Sequence, residues 1–213
     1  MNLHDFRQKY RVVLDAPTLR LCYNGVAAMA KSHDPHHDRT HIEKILSDLD
    51  YLLTLVPNLG SRINFGVLLP AICWHDIWIS RQKSRGITHL IYQQIVEGRQ
   101  SAKIFLASSA DQIPSSQLKS IAYTIRKHSS LQFLPPLTLE AKILIDLDKL
   151  ELWNIFRFLG KKNTLQSQKT LYARCVVKWY FIYSSRIRLY FKELDQKLNN
   201  KIKTFWDELE KSG

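Results

Sequence analysis

The sequence predicts an all-α protein, and three features support that prediction. Glycine and proline number seven each among 213 residues, and most of them fall between long segments. Within those segments apolar residues recur at spacings of three and four, which places them on one face of a helix. No internal repeat or low-complexity tract is present. We therefore expect a single domain over residues 1–213, with a motif-bearing core at about 20–158 and a long C-terminal helical extension at about 164–211.

Composition and charge narrow the functional classes. The chain has 31 Lys and Arg against 19 Asp and Glu, a formal net charge of +12. Such a charge attracts anions such as nucleotides, nucleic acids and phosphate esters, although a basic solvated surface explains it equally well. Cys22, Cys73 and Cys175 are far apart and form no CxxC pair, so neither a disulfide framework nor a thiolate metal site is expected.

The chain contains no segment expected to enter a membrane. The N-terminal residues lack the apolar core of a signal peptide, and the longest apolar run is too short to span a bilayer. We expect a cytoplasmic protein with no membrane partner.

The first half of the chain predicts three helices. The first covers roughly residues 17–31 and ends in a polar loop. The second is expected to begin at Thr40, because Thr40 and Glu43 have the spacing of a capping box, and His41 then lies in its first turn. The third, at about 63–78, is apolar all round, which is typical of a central buried helix.

His75 and Asp76 lie near the end of this apolar segment. Buried ionisable groups are costly unless they are paired or coordinated, so the pair requires an explanation. One is a core histidine hydrogen-bonded to its neighbours, with Asp76 at a helix end. The other is a metal that lies in the angle between the two side chains.

The second half of the chain continues the helical pattern. We expect a helix at about 90–108, one that begins at Ser115 or Ser116, and a largely buried one that Thr138 caps. Asp146 and Asp148 are the acids in the apolar centre of that last helix, and periodicity does not separate them. Beyond residue 165 an apolar stripe predicts one long helix, or two with a bend near residues 184–185.

These polar residues follow an order that resembles the HD phosphohydrolase superfamily. The matching segments are HDRTHIEKIL at 37–46, AICWHDIW at 71–78, IRKHSS at 125–130 and ILIDLDKLEL at 143–152. The resemblance covers roughly residues 34–152 and implies a compact HD-domain helical bundle. It also implies one divalent metal ion held by His41, His75, Asp76 and Asp148. Asp146 is the competing choice for the last ligand.

The resemblance further implies the chemistry and the remaining site residues. Two imidazoles and two carboxylates suit Mn, Fe, Co, Zn or Mg, which would activate water for attack on a phosphoester. Asp76 would orient that water, and Glu97, where relatives often carry an acid, would be a general acid. Substrate contacts would come from His37, His128, Lys149 and Arg126. His128 has three alternatives: a hydrogen bond to a metal ligand, a second metal site together with His37, or simple packing as a core histidine.

The sequence therefore predicts a metal-dependent phosphohydrolase that acts on a nucleotide or another small phosphate ester. Two departures from the family are visible: no acidic pair follows His75-Asp76, which disfavours stringent-response nucleotides, and ELWNIF replaces a glycine-containing turn. The alternatives are an HD-type nuclease, whose basic track would bind nucleic acid, and a non-catalytic binding protein with a structural metal. A homo-oligomer is compatible with any of these functions.

Overall fold

The all-α prediction is confirmed. A computed structural model describes residues 1–32, 37–82, 87–129, 134–153 and 188–211, without the side chains of 87–91, 94 and 209–211. Within these ranges there is no strand, and none of the helices is both long and apolar enough to cross a membrane. The helices are α1 (Leu3–Lys9), α2 (Ala16–Met29), α3 (Arg39–Leu55), α4 (Leu59–Arg62), α5 (Phe65–Trp74), α6 (Ile87–Ser109), α7 (Ser115–Lys127), α8 (Leu139–Leu152) and α9 (Asp195–Lys211).

Helix α5 forms the centre of the bundle. Every residue from Val67 to Trp74 is buried, because a helix that is apolar on all sides must be covered on all sides. The covering is provided by α2, α3, α6, α7 and α8. The predicted central helix is thus confirmed, but it ends at Trp74, so His75 and Asp76 lie in the turn that follows.

The end of α5 is held against α2 at close range. The indole Nε1 of Trp74 donates a hydrogen bond to the backbone oxygen of Leu21 at 2.8 Å. A Cβ atom at Gly25 of α2 would lie 2.7 Å from the backbone oxygen of Cys73, so only glycine permits this approach. The turn that carries His75 and Asp76 therefore starts from a fixed position.

The start of α3 differs from the prediction. Asp38 caps the helix, because its Oδ1 accepts hydrogen bonds from the backbone N of Thr40 at 2.8 Å and of His41 at 3.3 Å. The predicted capping box is wrong, since Glu43 pairs with Arg39 at 2.8 Å instead of reaching back. His41 still lies in the first turn. Of the two other predicted caps, one is confirmed: Thr138 caps α8. Helix α7 begins after Pro114 with no side-chain cap.

The C-terminal extension is interrupted before α9. Residues 192–194 form one turn of 3-10 helix, so a continuous α-helix through this segment is wrong. The predicted bend at residues 184–185 lies outside the described residues. The segment before this turn contacts the core, because the backbone N of Phe191 donates a hydrogen bond to Oδ2 of Asp146 at 2.8 Å.

Two lysines of α9 bind carboxylates on α3 and α8. Nζ of Lys197 lies 2.5 Å from Oδ1 of Asp48 on α3. Nζ of Lys201 lies 2.7 Å from Oε1 of Glu151 on α8 and 3.5 Å from Oδ2 of Asp48. It also donates to the backbone oxygen of Leu150 at 3.2 Å. Both carboxylates are buried, so α9 supplies the charge that allows two acids to lie inside the bundle.

We expect Lys201→Met to destabilise the protein by about 2 kcal/mol, because the buried Glu151 carboxylate loses its lysine. Urea unfolding measures the change. Lys203→Met is the matched control, since Lys203 lies on the exposed side of the same helix. Equal stability of the two variants would contradict a role for α9 in holding α3 and α8 together.

Candidate metal centre

Four side chains from separate parts of the chain meet beside the end of α5. His41, His75, Asp76 and Asp148 each direct one ligand atom into a group whose atoms all lie within 4.8 Å of one another; we call it the first cluster. Nε2 of His41 lies 3.1 Å from Nε2 of His75, 3.3 Å from Oδ2 of Asp76 and 3.3 Å from Oδ1 of Asp148. Nε2 of His75 lies 3.3 Å from Oδ2 of Asp76 and 3.7 Å from Oδ1 of Asp148.

The orientation of His75 is set by the helix that it ends. Its Nδ1 lies 2.8 Å from the backbone oxygen of Ile72, to which an Nδ1–H donates, and Nε2 then faces the cluster. The turn is closed by the backbone N of Ser80, which donates to the backbone oxygen of Asp76 at 2.9 Å. The backbone N of Trp78 donates to Oγ of Ser101 at 3.2 Å and ties this turn to α6. Both ligands of the turn are therefore fixed by backbone contacts.

The cluster fits a divalent cation. Ligands about 2.1 Å from a metal in tetrahedral or octahedral geometry are separated by about 3.0 to 3.4 Å when adjacent, close to the 3.1 to 3.7 Å found here. The ring nitrogens of His41 and His75 face each other at 3.1 Å. If both carry lone pairs, they repel each other unless a cation or a proton lies between them. A metal-binding histidine usually donates a hydrogen bond from its other ring nitrogen, which at His75 is Nδ1 against the backbone oxygen of Ile72.

The electrostatics of the first cluster also favour a bound cation. Burial opposes charge on His75, but the carboxylates of Asp76 and Asp148 outweigh it and raise the pKa of His75 to about 10. Burial also acts to raise the pKa of Asp148, and the rings of His41 and His75 hold that pKa below its usual range. The two carboxylates thus require positive charge nearby. Protons on the imidazoles can supply it, and a bound cation supplies it by displacing those protons.

A second group of buried ligands adjoins the first. Asp76, Glu97 of α6 and His128 at the end of α7 also place one ligand atom each within 4.8 Å of one another; we call this the second cluster. Nε2 of His128 lies 3.4 Å from Oδ1 of Asp76 and 3.8 Å from Oε1 of Glu97. Asp76 therefore faces the first cluster with Oδ2 and the second with Oδ1.

His128 repeats the arrangement of His75. Its Nδ1 lies 2.6 Å from the backbone oxygen of Ile125, three residues earlier, as His75 lies against Ile72. Its Nε2 is buried and makes no hydrogen bond of good geometry within the described part of the chain. Burial raises the pKa of Glu97 to about 8, against the opposing charge of His128. The second cluster could also hold a metal ion.

The other residues proposed from the sequence lie in different places. Nε2 of His37 lies 3.7 Å from Oδ2 of Asp76, at the edge of the first cluster. Arg126 is exposed at the end of α7, with its guanidinium 5.6 Å from the ring centre of Tyr123. Burial lowers the pKa of Lys149 to about 8, against the attraction of Asp146 and Asp195. Asp148, and not Asp146, faces the first cluster.

The ligands of the first cluster differ in exposure. The Asp148 side chain is 19% exposed, whereas those of His41, His75 and Asp76 are at most 4% exposed. Among these four ligands, Asp148 is therefore the one that lies nearest to solvent. The second cluster is more enclosed, because all three of its side chains are buried.

From the sequence, His37 is the expected partner of His128 in a second metal site, whereas the structure groups His128 with Asp76 and Glu97. A signal was present on α6, where Gln93, Glu97 and Ser101 recur every four residues and form a buried polar stripe. A polar stripe on an otherwise packed helix face indicates partners on a neighbouring helix.

Comparison of the chain with protein-family models, curated proteins and solved structures finds no match. A helical structure with a buried His/Asp cluster that could bind metal is compatible with the HD-type fold that the motif order implies. The cluster is also compatible with a metal-dependent hydrolase.

We expect Mn²⁺ at about 100 times its dissociation constant to stabilise the folded protein by about 2.7 kcal/mol. His41→Ala should lose most of this gain, because it removes a ligand that lies between both carboxylates of the first cluster. Thermal unfolding with and without Mn²⁺ measures it, and His4→Ala, an exposed histidine of α1, is the control. A gain in His41→Ala as large as in the unaltered protein would show that Mn²⁺ binds elsewhere.

Proposed function

We propose that this protein is a metal-dependent phosphohydrolase that acts on a nucleotide or another small phosphate ester. The observation that carries the proposal is the first cluster, in which His41, His75, Asp76 and Asp148 offer four ligand atoms within 4.8 Å of one another, with the Asp148 side chain partly exposed. A divalent cation with six coordination positions would keep two of them for water and substrate beside these four protein ligands.

Two observations favour a phosphate ester as substrate. The order of the motifs around these ligands resembles that of HD phosphohydrolases, and the net charge of +12 favours an anion. Nε2 of His37 lies 3.7 Å from Oδ2 of Asp76, and we assign to His37 the hydrogen bond to a phosphoryl oxygen. Arg126, exposed two residues before His128, is the proposed contact to a more distant phosphate of the same substrate.

The chain's own residues have separate roles in this proposal. His41, His75, Asp76 and Asp148 would hold the cation, and Asp76 would also orient the attacking water. A divalent cation at this position would lower the pKa of bound water and polarise a phosphoryl oxygen. The closed surroundings of His75 and Asp76 exclude bulk water, which strengthens each electrostatic interaction.

We expect Asp76→Asn to lower metal-dependent turnover at least about 100-fold, because it weakens a ligand shared by both clusters. The assay offers a panel of nucleotides and phosphomonoesters with Mn²⁺, Co²⁺, Zn²⁺ or Mg²⁺. Asp207→Asn, an exposed acid of α9, should keep the unaltered activity.

Equal turnover by Asp76→Asn and Asp207→Asn would contradict the proposal. The panel should also contain a short single-stranded RNA and DNA. Cleavage of these alone, with binding that weakens steeply as salt rises, would instead identify a nuclease. Metal binding with no turnover across the whole panel would indicate that the metal has a structural role and would contradict the hydrolase proposal.

We further propose that the second cluster binds a second divalent cation, with Asp76 shared between the two ions. Three features support it: Asp76 directs a different oxygen to each cluster, His128 directs Nε2 toward both carboxylates, and all three side chains are buried. Glu97 was expected to be a general acid. Its burial in the second cluster favours a ligand role over contact with a leaving group.

We expect two Mn²⁺ ions per chain in the unaltered protein and one in Glu97→Ala. Isothermal titration at fixed pH counts the ions and separates the two affinities. Glu208→Ala on α9 is the control, because this glutamate contributes no ligand atom to either cluster. A single ion in the unaltered protein would refute the second site and leave the first one standing.

A further inference from the structure

We propose that Gly98 is a positioning residue for the second cation site, because it sets the distance between Glu97 on α6 and His128 at the end of α7. The inference rests on the second cation proposed above. Gly98 does not itself offer a ligand atom. It acts through the contact between two helices, each of which carries one ligand of the second cluster.

The contact at Gly98 is backbone against backbone. A Cβ atom at this position would lie 2.6 Å from the backbone oxygen of Arg126 and 3.1 Å from that of Ile125. Ordinary contacts of a Cβ atom begin at 3.4 Å, so an added methyl group would be short of space by about 0.8 Å. No flexible side chain can move aside, because the atoms that it would meet belong to the last turn of α7.

One of these two carbonyl groups, that of Ile125, orients His128. The backbone oxygen of Ile125 lies 2.6 Å from Nδ1 of His128 and accepts from its backbone N at 3.3 Å. Glu97 directly precedes Gly98, so the backbone of Glu97 lies next to the contact between α6 and α7. A side chain at position 98 would therefore move Glu97 away from α7, or tilt the carbonyl that holds the His128 ring.

Metal sites tolerate little of either change. Ligand distances in protein metal sites hold to within about 0.2 Å, well below the displacement that a methyl group at position 98 requires. The ligands of the first cluster come from α3, α8 and the turn after α5. Only Asp76 is common to both clusters, so a shift of α6 against α7 acts mainly on the second.

The test is a titration of Gly98→Ala with Mn²⁺, with the affinities of the two ions measured separately and folding checked by thermal unfolding. We expect the ion that Glu97→Ala removes to lose at least about tenfold in affinity in Gly98→Ala, while the other ion stays within about twofold. Gly60→Ala is the matched control, since a Cβ atom there would meet only Leu53 Cδ2, at 3.8 Å. It should leave both affinities unchanged.

The two failures are distinguishable. One ion in the unaltered protein would refute the second cation and this inference with it. Two ions there, with both affinities unchanged in Gly98→Ala or both weakened alike, would refute the role of Gly98 alone, because a merely structural role would not separate the sites.

If Gly98→Ala does not fold, Glu97→Asp provides the test. It keeps the glycine contact and shortens the ligand side chain by one methylene, about 1.5 Å. We expect at least about tenfold weaker binding of the second ion. Unchanged binding of both ions would show that the second site tolerates a larger displacement of its ligand than an added methyl group at position 98 would cause. That result would overturn the proposal.

Discussion

The structure depends on the placement of charged ligands at the end of a helix that is apolar on every side. Helix α5 must be covered by its neighbours, and this covering carries His75 and Asp76 out of water. The surrounding helices repay that cost by bringing His41 and Asp148 to one side of the pair and Glu97 and His128 to the other. The same bundle that buries α5 thus assembles both clusters.

Backbone carbonyls and glycines determine where these ligands point. The last turns of α5 and α7 each orient a histidine ring through a carbonyl three residues earlier. Gly25 and Gly98 allow a neighbouring helix to approach each of those two helix ends more closely than any side chain would permit. Lysines of α9 stabilise acids on α3 and α8, the helices that carry His41 and Asp148. Ligand placement is therefore a property of the whole bundle.

Much of this arrangement could be predicted from the sequence. The spacing of apolar residues predicts the helices, and the apolar segment around His75 and Asp76 predicts the buried centre. The spacing of Gln93, Glu97 and Ser101 predicts that Glu97 has a partner on another helix, but it does not identify His128, because that pairing depends on how closely α6 and α7 approach. Asp38, and not Thr40, caps α3, because Oδ1 of Asp38 accepts from the backbone N of Thr40 and also from the Thr40 hydroxyl, at 2.6 Å, so the hydroxyl is used within the cap itself. Asp146 and Asp148 have equal helical patterns and differ only in what packs beside them.

The most direct measurement is the anomalous scattering of a crystal grown with Mn²⁺. The first cluster predicts a peak about 2.0 to 2.3 Å from Nε2 of His41, Nε2 of His75 and one carboxylate oxygen each of Asp76 and Asp148. Ordered Mn²⁺ found only at other positions, with these four side chains hydrogen-bonded to one another, would contradict the metal centre and the hydrolase proposed from it.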